Sequence, residues 1–460
     1  MTKHVVVVGG GISGLTVAHR LGRLPGVRVT LLEGSGDLGG KLRLGQVAGI
    51  TVDVGAEAML NRRPEAVALA HDVGLGAELV HPDTTTANLW NRNSMVPMPR
   101  TLMGVPGDIR ALDGVLSQKG LARALLEQVT PPSVSKRDLS IGQLIEDRFG
   151  REVTDRLVEP LLGGVYAGHA RQLSAQACVP QVFDLVKKRR SLTTAAAEVL
   201  AAAPTDVPVF AGIRGGMGRL PMALAEGSAA TIRTHAMVRD LARRPEGGWN
   251  LVVGSAHDAE IVQADAVVLA TPANASARLL SDVAPRAALD LARIEHASMA
   301  IITMAFRSED FPNVIGSGFL VPPVDGHVIK AATYSFNKWR WVRDAGARLL
   351  VMRASIGRHR EESTLQRGDE ELVAIALREL GEAIGLQAQP VDSHVQRWGG
   401  GLPQYAVGHL ARVESIYQEV TELPGLAICG AAYEGLGIPA CIASADRAVA
   451  AVLPVVTMAP

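Results

Sequence analysis

Val5-Val6-Val7-Val8-Gly9-Gly10-Gly11-Ile12-Ser13-Gly14-Leu15 decides the fold. The β-branched run has the continuous apolar character of a strand buried on both faces, and it leads directly into a glycine turn. Apolar residues then recur at helical spacing from Leu15 to Leu24, and a second strand runs from Val27 to Leu32 and ends at Glu33. This is one βαβ unit carrying a GxGxxG element. Gly9 allows the tight turn, Gly11 lets backbone approach a pyrophosphate, and Gly14 lets helix and strand pack closely. Glu33 stands 19 residues after Gly14, where a carboxylate accepts hydrogen bonds from a ribose diol and repels a 2′-phosphate. The ligand expected from this unit is FAD or NAD rather than NADP.

The next glycines choose between those two. Gly39-Gly40-Lys41-Leu42 is followed by Asp53-Val54-Gly55-Ala56-Glu57, with no catalytic dehydrogenase loop. Gly40 would let backbone approach the remaining phosphate and ribityl chain, Lys41 could neutralise phosphate charge, and Gly55 could lie against an isoalloxazine ring. Ordinary turn glycines are the competing reading, since GG pairs commonly mark turns. An extended dinucleotide with a flavin end, FAD, fits the whole series.

Outward from this start, Asp265 to Pro272 reads as another buried strand, preceded by the hairpin-like pair Trp249–Val253 and Glu260–Val262. Gly425 to Gly430 is again strand then glycine, followed by a helix from about Pro439 to Leu453, with proline suited to its first turn. These separated strand-to-glycine segments predict an α/β fold: a discontinuous Rossmann-like FAD-binding domain from residues 1–80, 205–285 and 395–460. Between them lie a helical substrate or membrane-like region at 81–204 and a mixed α+β substrate-binding region at 286–394. In the first, helices are expected at Leu121–Val129, Ile141–Phe149, Val153–Leu162 and Val182–Leu200. In the second, strands are expected at Ser298–Phe306 and Arg348–Ile356, with a helix at Asp369–Ile384.

The 460 residues are too many for one compact core, and 47% hydrophobic with 20% charged residues describes a packed globular chain. Lys plus Arg and Asp plus Glu balance at 46 each, which argues against a globally basic nucleic-acid binder. Cys178, Cys429 and Cys441 form neither a disulfide framework nor a metal site, so a reducing cytoplasm is expected and no metal is. Val5–Val8 is too short for a signal or a span, and Glu434, Asp446 and Arg447 interrupt the apolar region from Leu423 to Val456. No spanning helix is expected, which leaves room for peripheral membrane contact. The chain lacks a second GxGxxG unit, a redox cysteine pair, HExxH, GxSxG and a Walker lysine loop, which disfavours disulfide reductases, hydrolases and NTPases.

The stretches GGGISGL at Gly9–Leu15, LLEGSGDLGGK at Leu31–Lys41 and DVGAEA at Asp53–Ala58 resemble the FAD-binding start of the protoporphyrinogen/coproporphyrinogen oxidase family, part of a wider flavoprotein group with amine oxidases and phytoene desaturases. EPLLGGVYAG at Glu159–Gly168, GIRGGMGRL at Gly212–Leu220, WGGGLPQY at Trp398–Tyr405 and GAAYEGLGIP at Gly430–Pro439 extend the resemblance over essentially the whole chain. His169 departs from it, because the family pattern usually carries an acidic residue after YAG. The resemblance implies FAD contacts at Gly9, Gly10, Gly11, Ile12, Ser13, Gly14, Leu15, Glu33, Lys41, Gly55, Ala56, Glu57, Ala58, Val238, Trp398, Gly437, Ile438 and Pro439. Backbone N–H groups at the start of the Ile438 helix would then face the flavin pyrimidine, where negative charge develops on reduction.

The lack of a spanning segment, the GGK variant and the terminal motif place the resemblance nearest the actinobacterial coproporphyrinogen III oxidase branch. It implies oxidation of a porphyrinogen to a porphyrin in heme biosynthesis, by hydride removal with oxygen as acceptor and hydrogen peroxide as product. Protoporphyrinogen IX oxidation is the alternative. An amine oxidase or carotenoid desaturase would share the flavin end but call for an aromatic cage or a lipidic tunnel, and aromatics are only 4% of this chain. A porphyrin carrier would bind the tetrapyrrole without reducing the flavin.

A substrate with propionate arms calls for cations, and Arg62 and Arg63 follow closely after the Gly55 segment. The competing reading is a solvated helix start before Pro64. Tyr166 and Tyr405 could line the substrate cavity or belong to the core. Lys187-Lys188-Arg189-Arg190 reads as a solvated helical face. No residue is assigned as a catalytic acid or base, because a reduced pyrrole can release its N–H proton to water. The oligomeric state is not legible at this level.

Overall fold

The computed structural model describes residues 2–129, 137–188, 191–202 and 207–457. The chain opens with β1 at Lys3–Val8, α1 at Ile12–Gly22 and β2 at Val27–Leu32. Val5, Val6 and Val7 have no exposed surface, because β1 is flanked on both sides by parallel partners. The parallel sheet has five strands in the order 231–233, β2, β1, 266–269, 426–428. Val5 pairs with Val29 on one side and Ala266 on the other, and Val267 pairs with Leu426. Strands separated by hundreds of residues thus form one parallel sheet, and the α/β class expected from the sequence is the one observed. The strand at Thr231–Arg233, against β2, was not expected.

The C-terminal helix, Ile438–Thr457, begins at the residue before Pro439 and packs against α1 over the same sheet face. It is long and apolar enough to cross a membrane by composition, but Ile438, Ile442, Ala445, Ala448, Val452 and Val456 are core residues of the parallel sheet.

A second sheet has seven strands in the order 392–403, 296–307, 349–356, 329–333, 318–320, 88–91, 94–97. The strands at His296–Arg307 and Leu349–Ile356 pair antiparallel, and the helix at Asp369–Ile384 covers them. Two of its strands, Asn88–Asn91 and Ser94–Pro97, come from the stretch read as mostly helical. Its edge strand, Asp392–Pro403, spans the position at which the third nucleotide segment was expected to start.

The helices at 118–202 form a separate cluster. Ile141–Phe149 is as expected, whereas Gln118–Leu125 passes into a tighter turn at Leu126–Gln128. The expected helix at Val153–Leu162 is interrupted by a π-helical turn at Thr154–Val158 before resuming at Glu159–Tyr166. Pro160 lacks an N–H to close a regular turn there. The expected Val182–Leu200 helix appears as Pro180–Lys188 and Leu192–Ala202. Lys187 lies 4.0 Å from the Phe183 ring centroid, while Arg189 and Arg190 fall outside the described residues.

Candidate active site

The two glycine turns expected to hold phosphates form one cradle. The Gly39 N–H donates to the Gly10 carbonyl at 2.8 Å, and a Cβ built on Gly40 would stand 3.3 Å from the Gly11 Cα. Within GxGxxG the glycines have different tasks. A Cβ on Gly14 would lie 1.9 Å from the Gly9 carbonyl oxygen, and one on Gly9 would lie 2.8 Å from the Ala270 carbonyl oxygen. A Cβ on Gly11 would meet nothing within 4 Å, so this position opens on unfilled space at the start of α1. A backbone edge facing such a space at a helix N-terminus suits a pyrophosphate.

Glu33 is fixed before any ligand arrives. One carboxylate oxygen accepts the Gly10 N–H at 2.7 Å and the other accepts the Ser35 N–H at 2.8 Å. Next to it, the Ala236 N–H donates to the Glu33 carbonyl at 2.8 Å, which brings the start of the strand at Val238–Arg243 to the same end of the sheet. Val238 is buried there.

Lys41 combines two properties that rarely coincide. It has exposed surface, yet protein encloses it on enough sides that desolvation lowers its pKa, with Cys441 opposing the shift. A cation in a recess open to a ligand has this character. His296 faces the same recess: burial, and secondarily Lys41, lower its pKa. The sequence carried no separate signal for His296.

Gly55 is required by protein packing. A Cβ there would lie 2.0 Å from the Lys41 carbonyl oxygen and 3.2 Å from Cζ2 of Trp398. The Ala56 N–H donates to that Lys41 carbonyl at 3.1 Å, and Trp398 Nε1 donates to the Val54 carbonyl at 3.2 Å. Glu57, named as a cofactor contact, is held in an ion-pair cluster: Lys338 Nζ lies at 2.5 Å and Arg353 Nη1 at 2.9 Å. Burial alone would raise the Glu57 pKa, but Lys338 and Arg353 outweigh it and bring it to about 2. Arg353 Nη2 also donates to the Gly55 carbonyl at 2.7 Å. The cluster ties the Gly55–Ala58 segment to the second sheet.

Ser13 Oγ donates to the Cys441 carbonyl at 3.1 Å, fastening α1 to the C-terminal helix near its first turn. Gly437, just before that helix, is exposed, with Ile438 and Pro439 buried beneath it. Open space at Gly11, the recessed Lys41 and the pre-aligned Glu33 fit the pyrophosphate and ribose of a dinucleotide.

Among the residues considered for substrate, Arg63 is exposed and paired with Glu65 ahead of the helix at Pro64–Asp72, and Arg62 is exposed beside it. Tyr166 and Tyr405 are brought together, ring centroids 5.8 Å apart, but both are buried. The Tyr405 hydroxyl donates to the Ala431 carbonyl at 2.5 Å and its ring stacks on His409 at 4.0 Å. His169 lies 3.5 Å from Glu361, with a ring nitrogen 3.0 Å from the His359 carbonyl.

A family model described as flavin containing amine oxidoreductase matches residues 12–453. The chain belongs to this family. As a flavin-containing amine oxidoreductase it is an oxidoreductase with FAD as its cofactor. A coproporphyrinogen III oxidase of Mycobacterium tuberculosis is 34% identical over 452 residues, covering 97% of this chain and 96% of that protein. Its counterpart in Bacillus subtilis is 30% identical over 97% of both chains. A crystal structure from Exiguobacterium sp. 255-15, assigned as a protoporphyrinogen oxidase, superposes with a TM-score of 0.87 at 29% identity, covering 98% of this chain and 99% of that one.

Proposed function

We propose that this flavin-containing amine oxidoreductase converts coproporphyrinogen III to coproporphyrin III. The observation that carries the reading is end-to-end similarity to coproporphyrinogen III oxidases, at 34% identity over 97% of the chain. Bound FAD would supply two-electron acceptance, so removal of six hydrogens takes three rounds, with three oxygen molecules reduced to three hydrogen peroxide.

The chain's own residues bind and orient. Gly10, Gly11 and Gly40 would present backbone to the pyrophosphate, Glu33 would take the ribose hydroxyls, and Lys41 would face phosphate charge from its recess. Val238 would lie toward the adenine end. The segment Gly55–Ala58, held by Arg353 and Trp398, would support the flavin ring, and N–H groups at Gly437–Ile438 would face its pyrimidine edge. In this scheme residues 1–80, 205–285 and 395–460 carry the cofactor, and the remaining regions, with Arg62 and Arg63 at an exposed margin, meet the substrate. A cytoplasmic location suits the three buried free cysteines.

Protoporphyrinogen IX oxidation is the second reading, favoured by the assignment of the Exiguobacterium structure. Purified yellow protein mixed anaerobically with each porphyrinogen separates the readings. Anaerobic flavin bleaching is expected, and so, once oxygen is admitted, is a higher kcat/KM with coproporphyrinogen III, read from porphyrin fluorescence. Higher kcat/KM with protoporphyrinogen IX would favour the second reading, and no bleaching with either would reject both.

A further inference from the structure

Lys330 and Arg358 are two buried cations with no direct carboxylate partner among the described residues. Their exposures are 2% and 5%. Buried ammonium and guanidinium groups are normally paired, because leaving water uncompensated is costly. The hydrogen-bond contact of Lys330 Nζ is the thioether sulfur of Met299, a weak acceptor, at 3.8 Å. Arg358 Nη2 reaches the Val321 carbonyl at a long 3.4 Å, and its Nε has no partner. Of the nearby carboxylates, Glu379 accepts the Val328 and Ile329 N–H groups, Glu361 lies 3.5 Å from His169, and Glu159 accepts the Ala170 N–H with one oxygen while its other oxygen is unpartnered.

The fold brings these cations together deliberately. Lys330 is the extra residue of a bulge, since Ile329 pairs with Ile356 while Ala331 pairs with Ser355, and bulges redirect side chains. The Val321 N–H donates to the Lys330 carbonyl at 3.0 Å, so the backbone of Val321 contacts both residues. Gly357, at φ +101°, lets the chain entering Arg358 press on its neighbour: a Cβ there would lie 2.7 Å from the Ser298 carbonyl oxygen and 3.0 Å from the Met299 Cα. Lys330 thus reaches Met299 through its side chain, while the chain entering Arg358 packs on the Met299 backbone. Met299 pairs in register with Trp398, which covers Gly55.

We infer that Lys330 and Arg358 form a receptor for a carboxylate of the substrate, of the propionate class, with the half-buried Met299 side chain as its displaceable cover. The inference rests on the porphyrinogen reading above. An unbranched thioether can swing aside at little cost, which exchanges a poor acceptor for a charged one. Burial, and then Arg358, push the Lys330 pKa down to about 7, and a bound carboxylate would favour its charged form.

The test uses FAD-loaded wild type, Lys330→Met, Lys330→Arg and Arg358→Leu. Binding of the oxidised product coproporphyrin III and of its tetramethyl ester is measured by fluorescence quenching, alongside thermal unfolding. Lys330→Met should bind the tetra-acid at least about ten-fold more weakly, keep its affinity for the ester, and unfold no earlier than wild type. Lys330→Arg should retain part of the tetra-acid affinity. Arg358→Leu supplies the same comparison if Lys330→Met does not hold FAD. Tetra-acid affinities within two-fold of wild type in folded variants would overturn the receptor while leaving the porphyrinogen reading standing. Failure of wild type to bind or oxidise any porphyrinogen would overturn that reading first.

Discussion

Arg353 grips Glu57 at 2.9 Å, although 296 positions separate them, and its second guanidinium nitrogen holds the Gly55 carbonyl at 2.7 Å. One side chain from the second sheet thereby fixes the backbone on which the proposed flavin ring would rest. Truncating it leaves Glu57 with Lys338 and the Ser335 hydroxyl, and frees the Gly55 carbonyl. Removing one partner of a fully buried ion pair typically costs about 3–5 kcal/mol, and less where the pair is partly exposed and a second cation stays, as Lys338 does beside Glu57. Arg353→Met should lower the urea midpoint accordingly and release FAD more readily. An unchanged midpoint and unchanged flavin retention would show that the cluster holds nothing in place.

Glu33→Ala tests the other end of the cofactor. Each lost hydrogen bond to a charged acceptor is worth about 1.5–3 kcal/mol, so FAD affinity in reconstituted apoprotein should fall at least about ten-fold. The Gly10 and Ser35 N–H groups lose their acceptor as well, but Ser35 is exposed and can turn to water, so the fold should survive. Equal affinity in both proteins would remove Glu33 from the site.

The difference between these two positions explains how much the sequence disclosed. β1, the glycines and Glu33 are local: strand, turn and acid occur within one βαβ unit, and each residue type is dictated by near neighbours. The C-terminal helix start at Ile438–Pro439 was legible for the same reason. Glu57 was named as a cofactor residue, but its partners Lys338 and Arg353 come from distant strands and helices, and pattern alone cannot pair them. Lys330 lies in the apolar run Val328–Ala332, an unusual setting for a lysine, yet only the bulge and Gly357 show what it meets. Gly55 was read as clearance for a ligand, whereas its nearest obstacle is the Lys41 carbonyl.

Asp53 gives the stability a pH dependence. It is buried and accepts the Met217 and Gly218 N–H groups at 2.8 and 3.1 Å, but burial dominates and raises its pKa from 3.8 to about 7. In that interval the folded protein keeps a proton that the unfolded chain has lost. Its stabilising contribution is therefore complete below about 4 and is lost as pH rises toward 7, a change on the order of a few kcal/mol. Glu57 runs the other way: its contribution is complete above its unmodified value of 4.5 and disappears as pH falls toward 2. Between pH 5 and 7.5, urea midpoints should decline more in wild type than in Asp53→Asn. Parallel declines would mean that Asp53 is ionised throughout.

Gly11 and Gly14 carry the sharpest separation of folding from cofactor binding. They belong to one motif, and Ala is the smallest possible change at either. At Gly14 the new methyl would sit 1.9 Å from the Gly9 carbonyl oxygen, and that atom belongs to the turn itself, so backbone must move. At Gly11 the backbone has φ −75° and ψ 179°, which alanine adopts freely, and the methyl would point into open space. Gly11→Ala should therefore leave the apoprotein's unfolding midpoint within about 0.5 kcal/mol of wild type, as for substitutions that disturb no packing. The same methyl would occupy the approach expected of the pyrophosphate, so FAD should be lost on gel filtration. Gly14→Ala should instead reduce the soluble yield and the stability of the apoprotein. A Gly11→Ala protein that keeps full FAD occupancy would show that the space beside Gly11 is not the phosphate site, whatever the motif suggests.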